Sequence, residues 1–279
     1  MKPSCYTEYD LLQKVVVCHP KYMGDGKIRN VENQNTKKVS IHIDKAMSQH
    51  GGFVRKLKDY GVEVEYLTPK EEMTEGVYTR DIAFTLGEEI FIAKMAHPPR
   101  VGEEKNLIQW LNLQGIQHND LFKDHIEGGD VLIDQDTIYI GVSNRTTEAA
   151  INHIQSLLPN FNIIDLPFSD KFLHLDCIFN ILSPTEALIY PGEFPKEKED
   201  YLRSRYHLIE VTTKEQESLG TNVLSIGHKR VFSHSKNVGV NQSLRYHGYK
   251  VIEVDFSEII KSGGAFRCCT FPLVRASSN

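Results

Sequence analysis

The 279-residue sequence has no apolar run approaching the ~18 residues of a membrane span. Its opening, MKPSCYTEYDLLQKVVV, lacks the uninterrupted apolar stretch of a secretory leader. These two absences predict a cytoplasmic protein with no membrane partner. Cysteine is scarce and unpaired in pattern. Cys5, Cys18, Cys177, Cys268 and Cys269 are odd in number and form no CxxC, which excludes a disulfide scaffold and a structural zinc site. The remaining histidines show no metal spacing either, so neither metal nor cofactor is expected. Excess basic charge is absent too. With 32 Lys and Arg against 37 Asp and Glu, the net charge of −5 offers nothing to nucleic acid or an anionic lipid surface. A cationic small molecule suits it better. Low-complexity tracts and linkers are missing, and Pro and Gly are scattered through turns, so residues 1–279 read as a single domain.

What the chain does contain is a period. Short apolar hairpins begin at Asp81 (DIAFTLGEEIFIAK), Asp130 (DVLIDQDTIYIG), Asp176 (DCIFNILSPTEALIY) and Asn222 (NVLSIGHKRVFS), and a last strand begins at Cys268 (CCTFPLV). Successive starts are 49, 46, 46 and 46 residues apart. Helical spacing follows in Glu104–Leu113, Thr146–Leu158, Glu197–Arg205 and Asn241–His247, and closing strands in Asn162–Leu166, His207–Val211 and Val251–Val254. The last unit is completed from the other end of the chain by Lys14–Cys18, the amphipathic stretch Val39–Tyr60 and Val62–Leu67. A period of this size indicates a radial array or solenoid. A helix in each unit and complementary termini predict an α/β fold, specifically a closed, five-bladed pseudosymmetric propeller of ββαβ units. The polar segment Asn30–Ser40 reads as a surface loop.

In a radial repeat, equivalent positions lie at similar depth near the axis. The five hairpin starts, Asp81, Asp130, Asp176, Asn222 and Cys268, should therefore converge, with Glu127 and His174 just before two of them. Asp and Asn also cap turns ahead of strands, and a free cysteine commonly packs as a small hydrophobe. Five polar positions in phase, one of them a thiol, point beyond turn chemistry: Asp81, Asp130 and Asp176 are candidate substrate-binding carboxylates, and Glu127 a candidate catalytic residue, as ligand for substrate or partner for His174. Cys268 holds the phase position, and Cys269, facing the other side of a strand, is expected to pack. His174 and Asp176 should share one strand face, giving an acid–base group with a charged companion. The glycines of HIEGGD and SGGAFRC permit close backbone approach.

At these residues the sequence resembles the guanidine-modifying superfamily of dimethylarginine dimethylaminohydrolase, arginine deiminase and the amidinotransferases. YTRD, IEGGDVL, LHLD, GVSNRT and GG-x-x-x-C occur in the family's order over nearly the whole chain. The resemblance implies a five-bladed α/β propeller, Cys268 as nucleophile, His174 as acid–base residue, and Asp81 and Glu127 as guanidinium-binding carboxylates. It also implies that Arg145 holds a substrate carboxylate, helped by Arg100 or Lys94. Two positions depart from the dimethylargininases: Asp176 stands where they carry a lysine, as in deiminases and amidinotransferases, and Arg80 replaces their acidic residue. Chain length and the lack of an extra helical domain are nevertheless more like dimethylargininase.

The expected reaction is hydrolysis of a C–N bond in a guanidino or amidino compound, arginine-like or methylarginine-like. Carboxylates grip the planar cation by charge-assisted hydrogen bonds, the thiolate adds to its carbon, and water releases a ureido product with ammonia or an alkylamine. If Asp176 binds a terminal nitrogen, N-methyl groups would leave that acceptor unpaired at about 1–3 kcal/mol, which favours an unmethylated guanidine. Transfer of the amidino group to an amine, guanidine binding without turnover, and redox chemistry of Cys268 with Cys269 are the alternatives. The protein is expected to be a monomer or homodimer.

Overall fold

The computed structural model describes residues 2–24, 26–30 and 33–276, the side chains of 26–30 and 33–39 excepted. Within them the repeat takes physical form as five units, four of them a three-stranded sheet with an antiparallel hairpin and a parallel third strand. Val131–Asp134, Thr137–Val142 and Asn162–Pro167 make the Asp130 unit; Phe179–Ile181, Glu186–Ile189 and His207–Glu210 make the Asp176 unit. Leu224–Ser225, Arg230–His234 and Lys250–Val254 make the Asn222 unit. In the terminal unit, Leu11–Cys18 runs antiparallel to Phe271–Ala276 and parallel to Glu63–Leu67. The chain's two ends thus share one sheet. The Asp81 unit has only its hairpin, Ala83–Leu86 with Glu89–Ile92, and a single parallel bridge from Phe91 to Asn119 in place of a third strand.

Alternation along each middle strand explains how the units pack. Val15 and Val17 point into one apolar cluster, while Val16 and Cys18 point into another. Ile90 and Ile92 part from Phe91 in the same way, Ile138 and Ile140 from Tyr139, Ala187 and Ile189 from Leu188, and Val231 from Phe232. In each of these five units an inner strand is buried on both faces, so it is apolar at successive positions. Five clusters result, each shared by neighbouring units, and the last joins the Asn222 unit to the terminal one. Each fully buried Val, Ile or Phe contributes about 1.5–3 kcal/mol.

The helix Ile43–Asp59 shows this closure in one element. Ala46, Phe53, Val54 and Leu57, at three- and four-residue spacing, face inward, and Phe53 meets the rings of Phe232, Phe256 and Phe266 at 5.1–5.4 Å. An N-terminal helix therefore packs on the last hairpin and on the segment leading to Cys268.

Two expectations change. Residues 30–40 belong mostly to a hairpin, Gly26–Asn30 against Asn33–Val39, with residues 31 and 32 outside the described residues. NQNTKKV carries no apolar alternation to announce a strand, because backbone pairing alone defines it. The in-phase residues also precede their strands rather than opening them. Asp130 and Asp176 lie in the single 3-10 turns Gly128–Asp130 and Leu175–Cys177, and Cys268 in a turn where the Cys269 N–H donates to the Ala265 carbonyl at 3.0 Å. Strand alternation therefore does not separate Cys268 from Cys269, or pair His174 with Asp176. Among the described residues no helix is long and apolar enough to cross a membrane.

Candidate active site

The turns that precede the hairpins bring Asp81, Glu127, His174, Asp176, Asn222 and Cys268 into one buried cluster, each side chain at most 3% exposed. Glycine makes the approach possible. A Cβ on Gly129 would lie 2.6 Å from Cγ of His174, and one on Gly264 would lie 2.4 Å from the Tyr78 ring and 3.0 Å from Cβ of Cys268. The glycine pairs noted in the sequence are thus places where backbone passes against the imidazole and the thiol.

His174 is held by carboxylates. Its Nε2 pairs with Glu127 Oε2 at 2.7 Å, and its Nδ1 faces Asp81 Oδ1 at 3.7 Å, too far for a hydrogen bond. Burial alone would lower its pKa, but Asp81, Glu127 and Asp130 outweigh burial and raise it to about 9, so the ring is an imidazolium at neutral pH. Burial opposes the charge on Glu127 as well, yet His174, Arg100 and Arg145 bring its pKa down to about 2. Nδ1 of His174 and Oδ1 of Asp81 are both buried without a hydrogen-bond partner in the protein.

Cys268 has the opposite electrostatics. Its Sγ lies 3.6 and 3.8 Å from the Asp176 oxygens, and burial followed by the Asp176 and Asp81 charges raises the thiol well above its ordinary value. Asp176 is fixed from behind by Arg267, whose Nη1 donates to Oδ2 at 2.7 Å and whose Nη2 donates to Glu8 at 3.1 Å and to the Val131 carbonyl at 2.7 Å. Asn222 donates from Nδ2 to the sulfur at 3.1 Å.

Three of the anticipated ligands sit differently. Asp130 accepts from Leu175 N–H at 2.8 Å and from the Ser143 hydroxyl at 2.7 Å, so both its oxygens secure the turns beside His174. Arg100 is buried with Nη1 on Asp81 at 2.6 Å and Nε on Glu103 at 2.9 Å, which ties its guanidinium to protein carboxylates. Lys94 is exposed, and its backbone pairs with Ile126 in an isolated bridge. Arg145 remains at the edge, its side chain 12% exposed and only 3.3–3.4 Å from Glu127. Sequence reasoning assigned no role to Asn222, Arg267 or Glu8. Asn222 was marked by the period; Arg267 and Glu8, 259 positions apart, carried no signal. A cavity of about 740 Å³ opens at the far ends of the same hairpins, lined by Tyr6, Tyr9, Gln135, Pro184 and His228, and contains none of these residues.

The arrangement gathers several carboxylates, a protonated imidazole and a thiol. That set can bind a flat cation and exchange protons with it. Among known proteins, the family described as "N,N dimethylarginine dimethylhydrolase, eukaryotic" matches residues 20–275. An uncharacterized protein of Bacillus subtilis (strain 168), YkgA, is 46% identical over 274 residues, covering 98% of this chain and 96% of its own. An arginine deiminase of Bacillus cytotoxicus is 27% identical over 329 residues, covering 97% and 72%. The N-terminal domain of ArgZ, an arginine dihydrolase from the ornithine-ammonia cycle in cyanobacteria, superposes with a TM-score of 0.84 at 23% identity, over 95% of this chain and 98% of that one. SxtG, an amidinotransferase from Microseira wollei, gives 0.82 at 19% identity, over 99% and 98%. These two likenesses establish the mixed α/β fold.

Proposed function

Because the chain belongs to the N,N dimethylarginine dimethylhydrolase family of guanidine-modifying proteins, we propose that it hydrolyses a guanidino compound, preferably unmethylated, through a covalent bond to Cys268. The observation that carries this reading is the buried pair of unpartnered polar atoms, Asp81 Oδ1 and His174 Nδ1, in the same cluster in which Asp176 lies against the thiol. A buried carboxylate oxygen without a donor is costly, and a guanidinium N–H supplies one.

The chemistry follows from the charges. Carboxylates hold the Cys268 thiol protonated in the free protein; a cation bound among Asp81, Glu127 and Asp176 offsets them, and the thiol gives its proton to water as the thiolate forms. Sulfur adds to the guanidinium carbon, and the His174 imidazolium gives its proton to the departing amine as the C–N bond breaks. The neutral imidazole then takes a proton from water as it attacks the thiouronium carbon, and the C–S bond breaks with its electron pair returning to sulfur while the proton left on the ureido oxygen passes to water. Arg145, at the rim, binds a carboxylate on the substrate's tail, while Arg100 and Arg267 fix Asp81 and Asp176. A guanidinium held among these carboxylates would present both terminal nitrogens to them, so N-methyl groups weaken binding. Arginine is the first compound to try. We further read the five cyclically packed units as a five-bladed propeller forming one catalytic domain.

The neutral thiol makes the test specific. Chloroacetamidine, which carries an amidinium, should alkylate Cys268 at neutral pH at least about tenfold faster than neutral chloroacetamide, and Cys268→Ser should lose both the adduct, by mass spectrometry, and turnover. Retained turnover in Cys268→Ser would sink the proposal. The likeness to SxtG favours amidino transfer as the second reading. Ammonia and a ureido product appearing without an added amine would exclude it.

A further inference from the structure

Of the five in-phase positions, three are carboxylates and one is the thiol; the fourth unit alone supplies an amide. Asn222 is wholly buried and meets Cys268 twice, donating from Nδ2 to Sγ at 3.1 Å and accepting the Cys268 N–H on Oδ1 at 3.3 Å. The second contact fixes the amide's orientation: the oxygen is committed to the backbone donor, so the NH₂ faces the sulfur, its other hydrogen directed at the Asp176 carbonyl at 3.3 Å.

The surroundings hold this amide rigidly. Asn180, 3% exposed, donates to the carbonyls on both sides of Asn222, Thr221 at 2.9 Å and Val223 at 2.8 Å. The Thr221 hydroxyl donates to the Cys177 carbonyl. Leu219, whose carbonyl accepts the Asn222 N–H at 3.0 Å, has φ of 54°, a left-handed conformation that a leucine keeps only when its neighbours enforce it. A strained turn and two side-chain clamps spent on one amide indicate a group whose position matters.

We propose that Asn222 is a catalytic residue whose N–H stabilises the Cys268 thiolate, both when it attacks and when it leaves. The inference rests on Cys268 being the nucleophile. The other polar side chain against the sulfur, Asp176, disfavours negative charge there, and Asp81 acts in the same sense. A neutral donor fixed in advance lowers the cost of the charge without requiring the substrate to supply all of the compensation. It also explains why the period breaks from Asp to Asn here: a carboxylate at this place would add a further repulsion.

The test compares Asn222→Ala, Asn222→Asp and Asn222→Ser with the wild type, using inactivation by chloroacetamidine across pH, the adduct at Cys268 located by mass spectrometry. The maximal inactivation rate at neutral pH should fall about tenfold or more in Asn222→Ala and Asn222→Ser, with the half-saturating concentration within about threefold. Its pH midpoint should move up. Asn222→Asp, closest in shape, should be the slowest of the three, an order opposite to the one a merely structural role gives. Unchanged rates and midpoints in Asn222→Ala and Asn222→Ser, with the wild-type adduct present, overturn this inference alone. No adduct in the wild type overturns the nucleophile assignment and this inference together.

Discussion

Two histidines among the described residues are wholly buried, and their electrostatic fates are opposite. His50, on the inward side of Ile43–Asp59, has neither ring nitrogen hydrogen-bonded in the protein and stands 5.6 Å from the His19 ring; burial, with His19 adding to it, lowers its pKa to about 3. His174 is equally buried, yet the Asp81, Glu127 and Asp130 carboxylates raise it to about 9. Burial penalises the cation in both places; the neighbouring charges decide the outcome. One region has spent its polar group on packing. The other keeps a proton available at a pH where an ordinary histidine would have lost it.

The largest effect that bears on this contrast is on rate. His174→Asn removes the proton donor and should reduce kcat by about 10²–10⁴-fold, whereas His50→Leu should leave kcat within about twofold. Steady-state kinetics on the two variants checks this, and comparable losses would dissolve the distinction.

Next in size is Glu127→Gln. The amide still accepts a hydrogen bond at His174 Nε2 but takes away the charge, so the His174 pKa falls from about 9. The alkaline limb of kcat should shift to lower pH by about one unit, read from a kcat–pH profile. An unmoved limb would show that Asp81 and Asp130 hold the proton without help.

The smallest effect is on stability, and its sign differs between the histidines. With a folded pKa raised to about 9, His174 contributes stability that is fully present below the unfolded pKa near 6.5 and is lost as pH rises to about 9. His50, depressed to about 3, resists protonation when folded, so stability declines as pH falls from about 6.5. Denaturant unfolding across pH should therefore peak near neutrality, with the alkaline decline reduced in His174→Asn and the acid decline reduced in His50→Leu.

Much of this was legible in the chain. Repeated apolar hairpins imply packed units whatever surrounds them, and the helix expected over Glu104–Leu113 is found with those bounds. Other features were legible only in outline. His174 and Asp176 were placed on a strand because apolar alternation in FLHLDCIF matches period two; hydrogen bonds from Leu175 to Asp130 and from Cys177 back to His174 turn the chain there instead. Arg100 or Lys94 was offered as an anion ligand beside Arg145; Lys94 is exposed, and Arg100 is bound to Asp81 and Glu103. Charge type is visible in a sequence, whereas the partner that consumes the charge is not.

The sequence by itself determined the period, the sides of the strands that pack, and the set of acidic, imidazole and thiol groups that recur in phase. These follow from local propensity and from burial that repeats every unit. Only the tertiary structure decided that Glu8 and Arg267 lock Asp176, that Arg100 is committed to Asp81, and that Asn222 faces the sulfur. Such pairings join residues 19 to 259 positions apart. They depend on angles and distances of a few ångströms set by how whole sheets meet, for which no short stretch of chain carries a signal.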